Sequence, residues 1–234
     1  MSSKVKALKA PRVQASKASE AERLRELMIL RAPAEDLQGY EPKALERAAE
    51  LALAALKKHQ PGECIIEVES VSGIEHGGRA ASTVTIVNDN MPFLFDSVLG
   101  EITERGAEPT LVLHPVLLVR HGTSGVDEIV GDGAAKTSRA AEKVSLIHIH
   151  LPRMSPGECT ALKERLAHIL AQVRAAVSDW KPMLARLDQE ITRLRYAPIP
   201  LESESVAEAI AFLEWLRDDN FTFLGMREMR YVGG

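Results

Sequence analysis

Three consecutive polar residues, Asn88-Asp89-Asn90, separate a stretch of alternating apolar and polar side chains from one whose apolar residues recur at helical spacing. Side chains of this kind cap a helix by accepting hydrogen bonds from its first free N–H groups. The free N–H groups of residues 91–93 also suit a carboxylate or another small anion. With a carboxylate seated there, Asp89 would pair with an ammonium group. The same residues, Asn88, Asp89, Asn90, Met91 and Phe93, thus carry two readings: a site for a small amino-acid effector, or a helix cap and packing turn without a ligand.

Two other groups invite chemistry. His148 and His150 stand two apart on a predicted strand and share one face, and with His114 they would give three imidazoles for zinc. No carboxylate or cysteine joins them at ligand spacing, and Val144 and Leu146 lie on their face. The expectation is therefore no metal, and a partly buried sheet surface turned toward another domain or subunit. Gly131-Asp-Gly-Ala-Ala-Lys136-Thr-Ser has the outline of a phosphate loop but lacks the Gly before the Lys and a strand leading into a helix. Residues 121–142 read instead as a mobile connection. No dinucleotide-binding glycine motif and no Ser/His/Asp, Cys/His or paired-carboxylate arrangement is present, so neither catalytic nor cofactor-binding residues are expected in this chain.

The elements that would position the polar turn follow from periodicity. Helices are expected over 18–30 and 42–58, strands over 64–68 and 83–87 around a loop with Gly73, Gly77 and Gly78, and a helix over 91–105 with Pro92 in its first turn. Gly106 supplies its stop. A strand over 110–120 and another over 143–151 come next, and Ser155-Pro-Gly-Glu158 forms a capping box for a helix whose stripe runs Leu162, Leu166, Ile169, Leu170, Val173, Val177. Trp180, Leu184, Leu187, Ile191 and Leu194 make a narrow seam, ended by Pro198 and Pro200. Ser205-Val-Ala-Glu208 reads as a second capping box, and two short strands flank Gly225. The order strand, helix, strand, strand, helix begins a split βαβ unit, an α+β ferredoxin-like antiparallel sheet with helices on one face. Its fourth strand is either the early run 64–68, permuted in sequence, or 221–232 arriving late.

Composition narrows the function classes. The 234 residues are 45% hydrophobic and 4% aromatic, with a net charge of -4 and a pI near 6.0, which offers nucleic acid no basic field. Residues 1–17 carry five cations and no acid and read as a disordered basic tail. Cys64 and Cys159 form neither a metal-ligand pair nor a disulfide framework, and no apolar run reaches membrane length. A cytoplasmic protein without membrane or nucleic-acid partners is expected.

Three blocks carry a family resemblance. Val84-Thr-Ile-Val-Asn-Asp-Asn-Met-Pro-Phe-Leu-Phe-Asp-Ser97, continued by Glu108-Pro-Thr-Leu-Val-Leu-His-Pro-Val-Leu-Leu-Val-Arg120, resembles the N-terminal region of the large bacterial NAD-specific glutamate dehydrogenases. His59-Gln-Pro-Gly62 is similar to the family's lead-in, and Phe212-Leu-Glu-Trp-Leu-Arg-Asp-Asp-Asn-Phe-Thr-Phe-Leu-Gly225 to its next recurring block. The resemblance implies an ACT-type domain over 61–178, preceded by a helical arm at 18–60 and followed by a helical linker at 179–218. Residues 219–234 read as the opening of a further domain, cut by the chain boundary.

For the parent enzyme the resemblance implies oxidative deamination of L-glutamate to 2-oxoglutarate and ammonia with NAD, the NAD and glutamate sites lying far C-terminal of this chain. Ligand-binding ACT domains usually carry Gly in the turn, where this sequence has Pro92. The implied role is regulation and assembly, allosteric and oligomeric. The competing readings are a structural oligomerisation module without ligand and a free-standing amino-acid sensor. Because both faces of strand 110–120 are apolar, the sheet is expected to meet other domains of the parent or a second copy, with Val116→Lys breaking the dimer.

Overall fold

The computed structural model describes residues 19–229 apart from 105, 135–140, 197, 199 and 201, so the expected basic tail lies outside the described residues. Gly77 and Gly78 set the first strand pair. Both have positive φ, 56° and 74°, the backbone a two-residue hairpin turn needs to match the twist of its strands. They join β1 (Cys64–His76) to β2 (Arg79–Asp89) in an antiparallel pair. Both strands outrun the stretches read from alternation, because β1 bulges between Ser70 and Glu75, around Gly73, and then resumes its register.

The chain turns from β2 into α3 (Leu94–Thr103), preceded in sequence by α1 (Glu20–Ile29) and α2 (Pro42–Leu56). The strand expected over 110–120 is divided. His114 and Pro115 separate β3 (Leu111–Leu113) from β4 (Val116–His121), since proline has no N–H to continue a ladder. Both pieces pair with the same strand, β6 (Glu142–Pro152). The stretch read as a mobile connection contains a further strand, β5 (Val126–Asp132), paired with β4 and holding Val126 and Ile129 buried. In the sheet the order is β1-β2-β6-β4-β5, with β3 alongside β6.

That order settles the fourth strand. β2, α3 and β4 form the split βαβ, with β6 antiparallel between the two strands, and β1 occupies the outer place beside β2. The early run supplies it, so the ferredoxin-like sheet is closed by a permuted strand.

Both sheet faces are covered. On one, α3 and α4 (Pro156–Tyr196) bury Leu94, Val98, Ile102, Leu162, Leu166 and Leu170 against Val84, Ile86, Ile147 and Ile149. On the other, α1 and α2 bury Leu24, Met28, Ala52 and Leu56 against Val87, Leu111, Leu117, Val144 and Leu146. The helices expected as a flanking arm therefore cover the apolar face that was expected to await a partner.

Ser155 caps α4 as its sequence predicts: Glu158 N donates to Ser155 Oγ at 3.3 Å and Ser155 N to Glu158 Oε2 at 2.7 Å. The helix then runs unbroken for 41 residues, with Pro182 inside it and Met183, Leu187 and Ile191 buried beyond. The helix passes residue 178 without a break. The second capping box does not form, because α5 (Ser203–Trp215) starts three residues earlier, on Glu202, without a side-chain cap. One π-helical turn, Leu216–Asn220, closes α5. The strands expected around Gly225 are absent among the described residues, where 222–229 has no regular structure.

Candidate functional site

The polar turn at the end of β2 is knotted to α4 by one arginine. Arg174 Nη2 donates to Asn88 Oδ1 at 2.5 Å and to the Glu63 carbonyl at 3.2 Å, while Nη1 donates to Asp89 Oδ2 at 3.2 Å. The same Asp89 oxygen accepts from Gly62 N at 2.9 Å. Asn88 is buried, and its Nδ2 donates to the Asp89 carbonyl at 2.9 Å. Asn90 N donates to the Lys143 carbonyl at 3.0 Å, tying the turn to the start of β6. The carboxylate that would meet a ligand's ammonium thus already holds a guanidinium. Beside it, burial pushes the Cys64 thiol up to about 11, so it carries no nucleophilic thiolate at neutral pH.

Helix α3 starts later than its sequence suggests. Its N-cap is Phe93, with no side-chain cap bond, so Asn88, Asp89 and Asn90 cap nothing and Pro92 lies ahead of the helix. Phe93 adopts φ 67° and ψ -5°, left-handed backbone that is uncommon for a bulky side chain. The glycine-like conformation of this turn is therefore present, displaced one position from Pro92 and carried by a phenylalanine. Met91 turns inward against the α3–α4 face of the core. Phe93 stays half-exposed and, with Pro92, Val177, Trp180, Phe221 and Phe223, lines an apolar groove of about 290 Å³.

Behind the turn a pair of histidines links two carboxylates. His59 Nδ1 lies 3.0 Å from His121 Nε2. Their outer nitrogens approach Asp89 Oδ1 at 3.7 Å and Glu142 Oε2 at 3.0 Å. His59 is fully buried, and burial holds its pKa below the ordinary value despite Asp89.

The three histidines weighed as zinc ligands, His148 and His150 on β6 and His114 before it, are split. His148 and His150 share the α1–α2 face, with their Nε2 atoms 3.0 Å apart, Thr85 Oγ1 2.9 Å from His148 Nδ1, and the Tyr40 ring against His150. His114 sits on the opposite face, stacked on Phe95 and hydrogen-bonded to Ser145 Oγ at 2.6 Å. Tyr40, from the connection between α1 and α2, occupies the place expected for another domain or subunit. Among the described residues no group of three or more His, Cys, Asp or Glu side chains is placed to hold a metal ion.

Arg174, His59 and His121 are the residues that motif reasoning missed. Arg174 left a trace: it continues the four-residue step Leu166, Leu170 along the buried stripe, where a charge requires a buried partner. His59 stood in the block similar to the family's lead-in, but nothing in the sequence joined it to His121, 62 positions away and brought to it only by the fold.

A permuted ferredoxin-like sheet with a helix-covered turn after its first central strand defines an ACT-type α+β module. The family described as the ACT1 domain of glutamate dehydrogenase matches residues 24–166, and the chain belongs to that family. It is 32% identical over 221 residues to an NAD-specific glutamate dehydrogenase of Halomonas elongata, covering 93% of this chain and 14% of that protein. It is 34% identical over 157 residues to an NAD-specific glutamate dehydrogenase of Pseudomonas aeruginosa, covering 66% of this chain and 10% of that protein. The chain thus spans no more than 14% of the length of these relatives. No helix among the described residues is long and apolar enough to cross a membrane.

Proposed function

We propose that this chain is the N-terminal regulatory and assembly region of a large NAD-dependent glutamate dehydrogenase that works as a cytoplasmic homo-oligomer. The parent would convert L-glutamate, NAD and water to 2-oxoglutarate, ammonia and NADH, with NAD bound outside this region. The observation that carries the reading is the family match over 24–166, which includes the sheet, the polar turn and the start of α4. The site geometry favours assembly over effector binding. Asn88 and Asp89 spend their acceptors on Arg174 and Gly62, which fixes α4 to the sheet and leaves a ligand to displace that contact or share it.

Two measurements test this. The chain purified alone should form no NADH from glutamate and NAD, whereas the natural full-length protein should; turnover by the chain alone would overturn the assignment. A thermal-shift screen of the twenty amino acids and NAD separates regulation from scaffolding, because a ligand of the folded state must raise the melting temperature. A rise that is lost in Asp89→Ala would place the effector at the turn. No rise with any amino acid would leave a structural module.

A further inference from the structure

At the end of the sheet that carries the polar turn, four titratable side chains from four parts of the fold stand in a row. Asp89 closes β2, His59 follows α2, His121 ends β4 and Glu142 opens β6. The contacts run from Asp89 Oδ1 to His59 Nε2 at 3.7 Å, from His59 Nδ1 to His121 Nε2 at 3.0 Å, and from His121 Nδ1 to Glu142 Oε2 at 3.0 Å. Only the middle contact has hydrogen-bond geometry. The outer nitrogens, His59 Nε2 and His121 Nδ1, are shut off from solvent and have no hydrogen-bond partner among the described residues. Buried ring nitrogens left unpaired are costly, and each of these two faces a carboxylate.

Counting protons along the row shows what would satisfy it. Each of the three contacts needs one proton between its two atoms. An ionised carboxylate brings none and a neutral imidazole brings one, so two neutral rings fill two contacts and leave a lone pair against a carboxylate at one end. One added proton makes donors of both outer nitrogens, His59 Nε2 toward Asp89 and His121 Nδ1 toward Glu142, with the third proton kept between the rings. A second would set two N–H groups against each other across the 3.0 Å gap. The row has room for one extra proton.

We propose that this row is a one-proton clasp: uptake of a single proton by the His59–His121 pair draws Asp89 and Glu142 onto it and joins the ends of α2, β2, β4 and β6 at the polar turn. The effect reaches α4 because Asp89 is shared, its other oxygen accepting from Arg174 Nη1 and Gly62 N. Held at Oδ1 as well, Asp89 is fixed between His59 and Arg174, and the knot on α4 tightens. Solvent protons reach the row at Glu142, which is 61% exposed. The other charges around it are mixed. Glu63 acts on His59 beside Asp89, and Asp127 of β5 has its carboxylate against Gly122, next to His121. Lys57 is held by Glu20 and the Asp127 carbonyl, Lys58 by Glu67 and Arg120 by Glu128. Burial lowers the His59 pKa from 6.5 against the pull of Asp89 and Glu63, so the clasp is open at neutral pH and closes on acidification below 6.5.

An NMR titration of the histidine-labelled 234-residue chain from about pH 8 to pH 5 tests it. The His59 and His121 rings should change at one shared midpoint, and their two changes together should equal the full change of one exposed ring, His168. The Gly62 amide, which reports on Asp89, should move with that midpoint. Glu142→Gln should lower the midpoint by about 0.5–1 pH unit. His121→Gln, whose amide satisfies His59 Nδ1 in either tautomer, should abolish the titration of His59 over this range. Unchanged amide signals of β2 and β6 check that both variants fold, and the wild-type titration decides the proton count without them. Separate midpoints adding to two protons, or no titration of either ring, would overturn the proposal. So would a His59 titration that His121→Gln leaves unchanged, or a Gly62 amide that stays still while the rings titrate, since the proton would then not act on the turn.

Discussion

Arg174 bonds to three residues from two chain segments, Glu63, Asn88 and Asp89, so its removal orphans a buried amide oxygen and a carboxylate together. Asp89 and Arg174 each keep about a third of their side chain in water, and solvent screens part of the charge. Arg174→Met is expected to cost about 1–2 kcal/mol, read as a lower urea midpoint with an unchanged slope. At Phe93 the left-handed backbone reverses the usual order of small residues: Phe93→Gly should be more stable than Phe93→Ala by about 1 kcal/mol, and the opposite order in thermal melts would refute the conformation. His150 gives a pH dependence. Burial, aided by His76, lowers its pKa from 6.5 to about 4. Between those values the unfolded chain binds more protons than the folded one, so stability is full above 6.5 and falls as pH drops toward 4. The shift corresponds to roughly 3 kcal/mol at the acid end, and His148, lowered more strongly by its own burial, acts in the same direction. Urea midpoints measured across this window should fall, and His150→Leu should flatten the fall; an equal fall in that variant would place the titration elsewhere.

At the scale of elements, Gly125 shows what joins α2 to the sheet. A Cβ built there would lie 1.8 Å from the Lys57 carbonyl oxygen at the end of α2. Gly125→Ala must push the β4–β5 turn off that helix and should cost about 1–3 kcal/mol, whereas Gly131→Ala, with open space at its Cβ, should cost less. The two urea midpoints compare them. This contact also shows why some elements were legible in the sequence and others were not. The helices declared themselves because Ser155-Pro-Gly-Glu158 and the leucine stripe are local signals. The polar turn after β2 was equally plain, though which residue would start α3 was not, because Phe93 takes a conformation its type disfavours. β5 escaped because only Val126 and Ile129 are buried in a polar, glycine-rich stretch, and its pairing is decided by β4. The closing of the second sheet face by α1 and α2 is a tertiary choice: Ala48, Ala49, Ala52 and Ala55 read as helix propensity, and only the fold reveals them as a flat surface that lets α2 approach the sheet.

At the scale of the whole molecule, the covered sheet changes what association can mean. Val116 is half-buried between β6 and Gly133 and presents no open face, so Val116→Lys should lower stability without changing the sedimentation of the chain. A dimer that this variant dissociates would show that the sheet opens. The permuted strand has its own mechanical outcome. With β1 filling the outer place beside β2, α4 is released from leading back into the sheet and extends past its footing on β1 and α3 as a continuous rod of 41 residues, about 60 Å at 1.5 Å per residue. Arg174 grips this rod near its middle, at the polar turn. A rod of that length converts angle into travel: each degree of tilt at its root carries the far end about 1 Å. Measured from Arg174 to Tyr196 the arm is roughly 33 Å, so a tilt of α4 about its grip on Asn88 and Asp89 would move the end where α5 rides by about 0.6 Å per degree.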